Sequence, residues 1–293
     1  MNELLRVFTF VLNNLMHVWP ILIITIPISV MIKHFDSQKR IQKILTSNWL
    51  LSVVIATAVG AIAPFCSCSI IPVIAGLIAA GVPIAPIMSF WLASPSMDPE
   101  IFLLSTASLG VNLAIARVVA TGIMSLVGGI IAHYFIDLKR SVKKGFYTNQ
   151  ATEKLSKEDM RKQIFKESLQ TLFTLLKFLL LAFTLEALIV FYVPTTWITN
   201  LFGDGTGSIL KATLISIPLY TTNLSALGIV SGLMTKGLPA GAALSFLIGG
   251  ATTTIPAMAA VYKIVEKKIF ILYIFLATSS AFISGLIFEW LVK

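Results

Sequence analysis

The fold of this chain is decided by residues 49–90, which read WLLSVVIATAVGAIAPFCSCSIIPVIAGLIAAGVPIAPIMSF. This stretch contains no charged residue. Its apolar sequence is interrupted by prolines instead, namely Pro64, Pro72, Pro83 and Pro86. A helix of about twenty apolar residues crosses the hydrocarbon core of a bilayer, and proline disrupts a helix because it lacks the backbone N–H. The stretch therefore predicts membrane helices that are broken into short pieces.

The composition of the whole chain agrees with this prediction. Of the 293 residues, 57% are hydrophobic and 12% are charged, and the mean hydropathy is +0.91. A soluble domain carries about 25% charged residues, so roughly half of the usual charge is missing. The apolar composition excludes intrinsic disorder, and two cysteines are too few for a disulfide framework. An all-α polytopic membrane protein remains.

The basic residues indicate how the chain lies in the bilayer. The net charge is +9, and basic residues concentrate in 33–48, 136–168 and 263–268, whereas 194–208 has none. Short loops rich in Lys and Arg stay in the cytoplasm, so we expect these three segments inside and 194–208 outside. A nucleic-acid partner is excluded, because such a binder gathers its basic residues on one soluble face.

The predicted organisation is two membrane halves, 1–135 and 169–293, joined by a basic cytoplasmic linker, 136–168. Long apolar runs predict whole membrane helices at 8–32, 111–135, 169–193 and 269–291. The remaining apolar sequence is punctuated by prolines. We expect about 8–10 membrane segments in all, some of them broken or only half-spanning.

The two halves share a sequence pattern at a constant spacing. Gly81-Val82-Pro83 and Ser89-Phe90 recur 156 residues later as Gly237-Leu238-Pro239 and Ser245-Phe246. This pattern indicates an internal duplication, although so few matches in apolar sequence could also arise by chance. The basic loops give the halves opposite directions, which is the inverted-repeat plan of secondary transporters. Inversion requires an odd number of crossings in each half. A plain count of four helices per half would leave the second copy in the same orientation as the first.

Both cysteines of the chain occur in one short motif at a predicted helix break, Pro64-Phe65-Cys66-Ser67-Cys68-Ser69. Two thiols at this depth form a soft ligand pair that suits trivalent metalloids, mercurials or Cu(I). The alternative is that Cys66, Ser67, Cys68 and Ser69 are small residues that ease helix packing. No cluster of His and Cys completes a zinc site, so no metal is predicted.

Polar residues also occupy the corresponding break of the second half. Thr221, Thr222 and Asn223 follow Tyr220, and Thr252, Thr253 and Thr254 precede Pro256. These side chains could complete a polar pocket opposite the thiols. They could equally form hydrogen bonds that hold neighbouring helices together.

Charged residues inside apolar runs are costly and mark candidate functional positions. Arg117 lies in the 111–135 run, where it could bind a carboxylate or an anionic substrate, or extend to the headgroups. Glu186 lies deep enough in 169–193 to carry a proton. Asp98 falls near the predicted outer boundary, as the end of a charged loop or as a cation or proton site.

No phosphate-binding loop, aspartyl-phosphate domain or dinucleotide fingerprint occurs, so the chain is predicted to be neither an ATPase nor another enzyme, and no cofactor is expected. Transport would be driven by an ion gradient or by the gradient of the substrate itself.

The sequence resembles the predicted-permease family that includes the bacterial organoarsenical efflux permeases. The resemblance covers essentially the whole chain and rests on the cysteine motif at 64–69, on Gly81-Val82-Pro83, on Ser94-Pro95 and on Arg117. It implies a multi-pass permease of the bacterial cytoplasmic (inner) membrane. It further implies export of trivalent organoarsenicals, with Cys66 and Cys68 as the matching thiol pair.

We therefore predict a secondary transporter that exports a small soft or thiol-reactive solute such as a trivalent organoarsenical. One alternative is a membrane subunit that presents thiols for metal or sulfur handoff to a partner. Another is a permease for an unrelated small anion. The partners expected are a small-molecule substrate and the lipid bilayer, and the chain could form a homo-oligomer.

Overall fold

The computed structural model describes residues 48–63, 70–79, 82–135, 206–219, 223–235, 237–254 and 265–292, with single positions elsewhere. The regular elements of these residues are all helices, as the sequence predicts. They are α1 (Trp49–Ile62), α2 (Ile70–Ala79), α3 (Ile84–Met97), α4 (Pro99–Leu109), α5 (Val111–Phe135), α6 (Thr206–Leu219), α7 (Asn223–Met234), α8 (Ala240–Thr252) and α9 (Lys267–Val292).

Two of the described helices, α5 and α9, are long and apolar enough to cross a membrane. They have 25 and 26 residues, with mean hydropathies of 1.9 and 2.0. Their positions confirm the helices predicted at 111–135 and 269–291. Within 8–32 and 169–193 only scattered helical positions are described, such as residues 11–13 and Thr184. The 136–168 linker lies outside the described residues.

The prolines break the chain less often than the sequence suggests. Pro72 and Pro86 lie in the first turns of α2 and α3, where a missing N–H leaves no helical hydrogen bond unmade. Pro95 lies inside α3, near its C-terminal end. The expectation of a helix break at Pro72 and at Pro86 was therefore wrong. Pro83 precedes α3 as its N-cap residue, and Pro99 begins α4.

The chain reverses between α4 and α5 at Gly110. Its φ of +92° is one that only glycine adopts at low cost, because a Cβ would meet the backbone. A single residue therefore connects these two helices, and it lets α4 fold back along α5, against which it packs.

Each half contributes one unit of three packed helices. In the first unit α3 is almost completely buried between α1 and α5, and in the second α8 is buried in the same way between α6 and α9. The outer helices expose large apolar side chains, including Val54, Ile115, Ile271 and Phe275. Such surface is suited to lipid rather than to water.

The contacts inside the two units match at the offset of 156 residues. Ser89 Oγ donates to the Ser125 carbonyl at 3.1 Å, and Ser245 Oγ donates to the Ala281 carbonyl at 2.8 Å. The close approaches match as well. Gly129 faces Ser89, Val53 and Ala85. Gly285 faces the equivalent residues, in the same order Ser245, Ile209 and Gly241. The spacing found in the sequence thus also relates the buried helix contacts of the two units.

The two units pack against each other. Helix α5 contacts α8 and α9, and α4 contacts α7 of the other half. One continuous cluster of buried apolar side chains extends through both units. The contacts between α4, α5 and α7 position the polar site described next.

Candidate functional site

The site is built around Arg117, which projects from α5 into the interior. Its side chain is only 2% exposed. The Nη2 group donates to Asn223 Oδ1 at 2.8 Å, and Nη1 donates to Ser105 Oγ at 3.4 Å. Asn223 is the first residue of α7, so Arg117 links the two halves directly. The structure therefore excludes the alternative in which Arg117 extends to the lipid headgroups.

Asn223 is held on its other side by the end of α3. Its Nδ2 donates to the Pro95 carbonyl at 3.2 Å. In a continuing helix that carbonyl would accept from the N–H of residue 99, but residue 99 is proline and has none. The Pro95 carbonyl is consequently free of its helical partner and accepts the Asn223 amide instead.

Two buried hydroxyls accompany Arg117. Thr121 lies one helical turn further along α5, on the same face as Arg117. Ser96 lies on α3, which runs antiparallel to α5: Ser89 bonds Ser125, and Met97 packs beside Gly122. This register places Ser96 at the level of Thr121. Ser96 Oγ, Thr121 Oγ1 and Arg117 Nε are buried and have no hydrogen-bond partner.

Asp98 is also part of this neighbourhood. Its side chain is 8% exposed, it caps α4 by accepting from the Ile101 N–H at 2.8 Å, and it interacts electrostatically with Arg117. The sequence placed Asp98 near the outer boundary, as the end of a charged loop or as a cation or proton site. In the structure it is a buried helix cap, whereas the neighbouring Glu100 is exposed.

A second feature lies at the corresponding place in the other unit. Tyr273 of α9 is 156 residues after Arg117, and its hydroxyl donates to the Thr252 carbonyl. The ring of Tyr273 stacks on Trp91, with centroids 4.0 Å apart and an interplanar angle of 13°. The Thr252 and Thr253 hydroxyls bond carbonyls of α8 itself. They therefore do not bridge neighbouring helices.

Of the residues singled out in the sequence, the structure brings together Arg117, Asn223 and Asp98. It describes the threonines at 252–254 apart from this group. Seven candidate residues lie outside the described residues, namely Cys66, Ser67, Cys68, Ser69, Thr221, Thr222 and Glu186. Sequence reasoning missed Ser96, Thr121, Ser105 and the Trp91–Tyr273 pair. The 156-residue offset could have identified two of these residues. Tyr273 is the counterpart of Arg117, and Ser96 is the counterpart of Thr252.

Two helical units with apolar outer faces and a buried polar contact between them indicate a membrane protein. The chain belongs to the predicted permease family, whose model matches residues 3–290. This membership supports a role in membrane transport rather than in catalysis, and it confirms the resemblance seen in the sequence.

One curated relative is the UPF0718 protein YcgR of Bacillus subtilis (strain 168). It is 24% identical over 139 residues, which cover 46% of this chain and 47% of the relative. The matched region thus spans about half the length of each protein. No solved structure matches this chain.

Proposed function

We propose that this chain is a secondary transporter of the bacterial cytoplasmic membrane, which exports a small soft or thiol-reactive solute such as a trivalent organoarsenical. The observation that carries the proposal is the pair of matching three-helix units joined in the interior by the Arg117–Asn223 contact. Two related halves around a central polar site are the plan of many secondary transporters. Membership of the predicted permease family supports the same role.

The proposal includes an inverted arrangement of the two units. Helix α5 ends next to the basic segment 136–168, whereas α9 begins next to Lys263, Lys267 and Lys268. If both basic segments are cytoplasmic, the equivalent helices α5 and α9 cross the membrane in opposite directions. The stacking of Trp49, at the start of α1, on His133, at the end of α5, supports a common side for these two helix ends.

Cys66 and Cys68 are the proposed ligands for the solute. They occur in the sequence between α1 and α2, and the 156-residue offset pairs the intervening Ser67 with Asn223. Asn223 is the residue of the second half that bonds Arg117. The cysteines therefore flank the position equivalent to a residue of the central site. Two thiolates bind a trivalent arsenical well, and the absence of a third allows faster release.

Export of a trivalent organoarsenical from cells, or its uptake into everted vesicles, tests this function. The double variant Cys66→Ser, Cys68→Ser is expected to lose transport and to retain normal expression, because serine is a hard ligand with little affinity for As(III). The matched control is Ser279→Ala, since Ser279 bonds only carbonyls of its own helix. Full transport by the double variant would contradict the role of the thiols.

Purified protein in liposomes separates a transporter from a subunit that presents thiols to a partner. A transporter moves the solute without any other protein. Solute binding without movement would favour the thiol-presenting alternative.

A further inference from the structure

The buried guanidinium of Arg117 has no direct counter-ion among the described residues. Both of its hydrogen bonds go to neutral acceptors, the Asn223 amide oxygen and the Ser105 hydroxyl. Asp98 acts on it electrostatically, but its Oδ1 accepts the Ile101 N–H at the start of α4. A buried charge is costly unless it is paired and hydrogen-bonded. The positive charge of Arg117 is therefore only partly compensated by its neighbours.

The unpartnered groups around Arg117 are all hydrogen-bond donors. Over the part of the chain that the structure describes, the buried side-chain N and O atoms without a partner are Arg117 Nε, Ser96 Oγ and Thr121 Oγ1. Buried hydroxyls elsewhere in the same unit are satisfied, as in the Thr57–Ser125 hydrogen bond of 2.9 Å. Arg117, the side chain without a direct counter-ion among the described residues, thus also carries one of these unpartnered atoms.

The helix geometry places these donors at neighbouring levels of α3 and α5. Thr121 follows Arg117 by one turn of α5, and the antiparallel register brings Ser96 of α3 to the same level. The second unit gives an independent comparison. Its residues at the positions equivalent to Arg117 and Ser96 are Tyr273 and Thr252, and there the Tyr273 hydroxyl bonds the Thr252 carbonyl directly. Arg117 and Ser96 therefore occupy positions whose counterparts are in contact.

We propose that Arg117, Ser96 and Thr121 form a binding site for one small oxygen-acid anion, of the carboxylate or phosphate class, at the junction between the two halves. The guanidinium supplies the charge and a geometry suited to paired oxygen atoms. The two hydroxyls donate to the same group. A water molecule could bond both hydroxyls, but it would not balance the charge of Arg117.

Asp98 gives this site a distinctive property. Asp98 is the acidic side chain that interacts electrostatically with Arg117, so in its ionised form it would compete with a bound anion. Replacing it with the neutral, similarly shaped asparagine, which can still cap α4, should tighten anion binding. A purely structural arginine would instead be disturbed by the same change.

The test uses the purified full-length chain in a non-ionic detergent. Its thermal unfolding midpoint is followed against inorganic phosphate and, separately, acetate, with chloride keeping the ionic strength constant. The wild type is expected to show a saturable rise in the midpoint with at least one probe, because a ligand that binds the folded state stabilises it. Absence of a saturable response to either probe would overturn the proposal.

Variants then assign the response to the site. Arg117→Gln is expected to abolish it, and Ser96→Ala and Thr121→Val each to weaken the apparent affinity about 3- to 10-fold, the loss of one hydrogen bond. Asp98→Asn is expected to tighten binding. The matched control is Thr213→Val, since the Thr213 hydroxyl is buried but already bonds the Ile209 carbonyl. An unchanged response in Arg117→Gln, or equal losses in Thr213→Val and the site variants, would overturn the proposal.

Two further variants complete the test, a second arginine variant and the double cysteine variant. If Arg117→Gln does not fold, Arg117→Lys replaces it, and a weakened response is expected because lysine lacks the paired donor geometry. The double variant Cys66→Ser, Cys68→Ser is expected to keep the full anion response while it loses arsenical transport. The anion site and the thiol mechanism can therefore fail separately.

Discussion

At the residue scale, two glycines determine how closely the helices of each unit approach. Gly129 of α5 lies against Ser89 and the Ala85 carbonyl, and Gly285 of α9 lies against Ser245 and the Gly241 carbonyl. A Cβ at either glycine would collide with the facing serine Oγ. Small residues at such crossings are typical of membrane helices, where close backbone approach replaces hydrophobic burial as the source of stability.

We predict that Gly129→Ala and Gly285→Ala each lower the stability of the protein in detergent by about 1–3 kcal/mol, the cost of overpacking a tight core. The matched control is Gly228→Ala, because Gly228 is a helical glycine with open space around it. That change should be neutral or slightly stabilising, since alanine is the better helix former. Thermal unfolding of the three variants measures both effects, and equal midpoints would contradict the close-packing argument.

The sequence identified some residues of the site and not others, for a physical reason. Arg117 could be predicted because a charge in an apolar run is rare and costly. Ser96 and Thr121 could not, since a hydroxyl in a membrane helix commonly bonds a carbonyl of its own helix, as that of Thr252 does. Whether a hydroxyl is satisfied in this way depends on the helix packing, and the sequence does not contain that information directly.

At the scale of the elements, the end of α3 explains why α7 lies where it does. Pro99 cannot donate to the Pro95 carbonyl, so Asn223 at the start of α7 does so and also accepts from Arg117 of α5. One amide side chain thereby connects α3, α5 and α7. The three helices come from both halves, and their relative position depends on this residue.

We predict that Asn223→Ala lowers the unfolding free energy by about 1–3 kcal/mol, because it leaves the Pro95 carbonyl and one Arg117 donor unsatisfied. In an Arg117→Gln background the same change should cost less, since part of the interaction is already lost. Asn112→Ala on the exposed face of α5 is the matched control and should have little effect in either background. Costs that simply add would contradict the direct coupling of Arg117 and Asn223.

The sequence predicted the long helices better than the short ones. For α5 and α9 the length of the apolar run defines the helix, so both could be placed in advance. Prolines were an unreliable guide to the limits of the short helices. Pro83 and Pro99 stand at the starts of α3 and α4, whereas Pro72 and Pro86 lie in first turns, where a proline breaks nothing. Asp98 illustrates the same difficulty. Its role as the N-cap of α4 depends on where α3 ends, and in the sequence it resembles a loop residue.

At the scale of the whole molecule, two units with the same internal contacts meet across a polar contact made by different residues. Arg117 occupies the central position in one unit, and Tyr273 occupies the equivalent position in the other. The units thus share their packing but differ in the chemistry they present to the interior.

Side-specific labelling tests the central claim, that the two units cross the membrane in opposite directions. In a variant without the native cysteines, single cysteines are introduced at four exposed positions, Ser108, Tyr134, Lys268 and Leu291. If the units are inverted, a membrane-impermeant maleimide added to intact spheroplasts labels positions 108 and 291, and labels 134 and 268 only after permeabilisation. Labelling of 134 and 268 from opposite sides would show that α5 and α9 run in the same direction and would contradict the inverted arrangement.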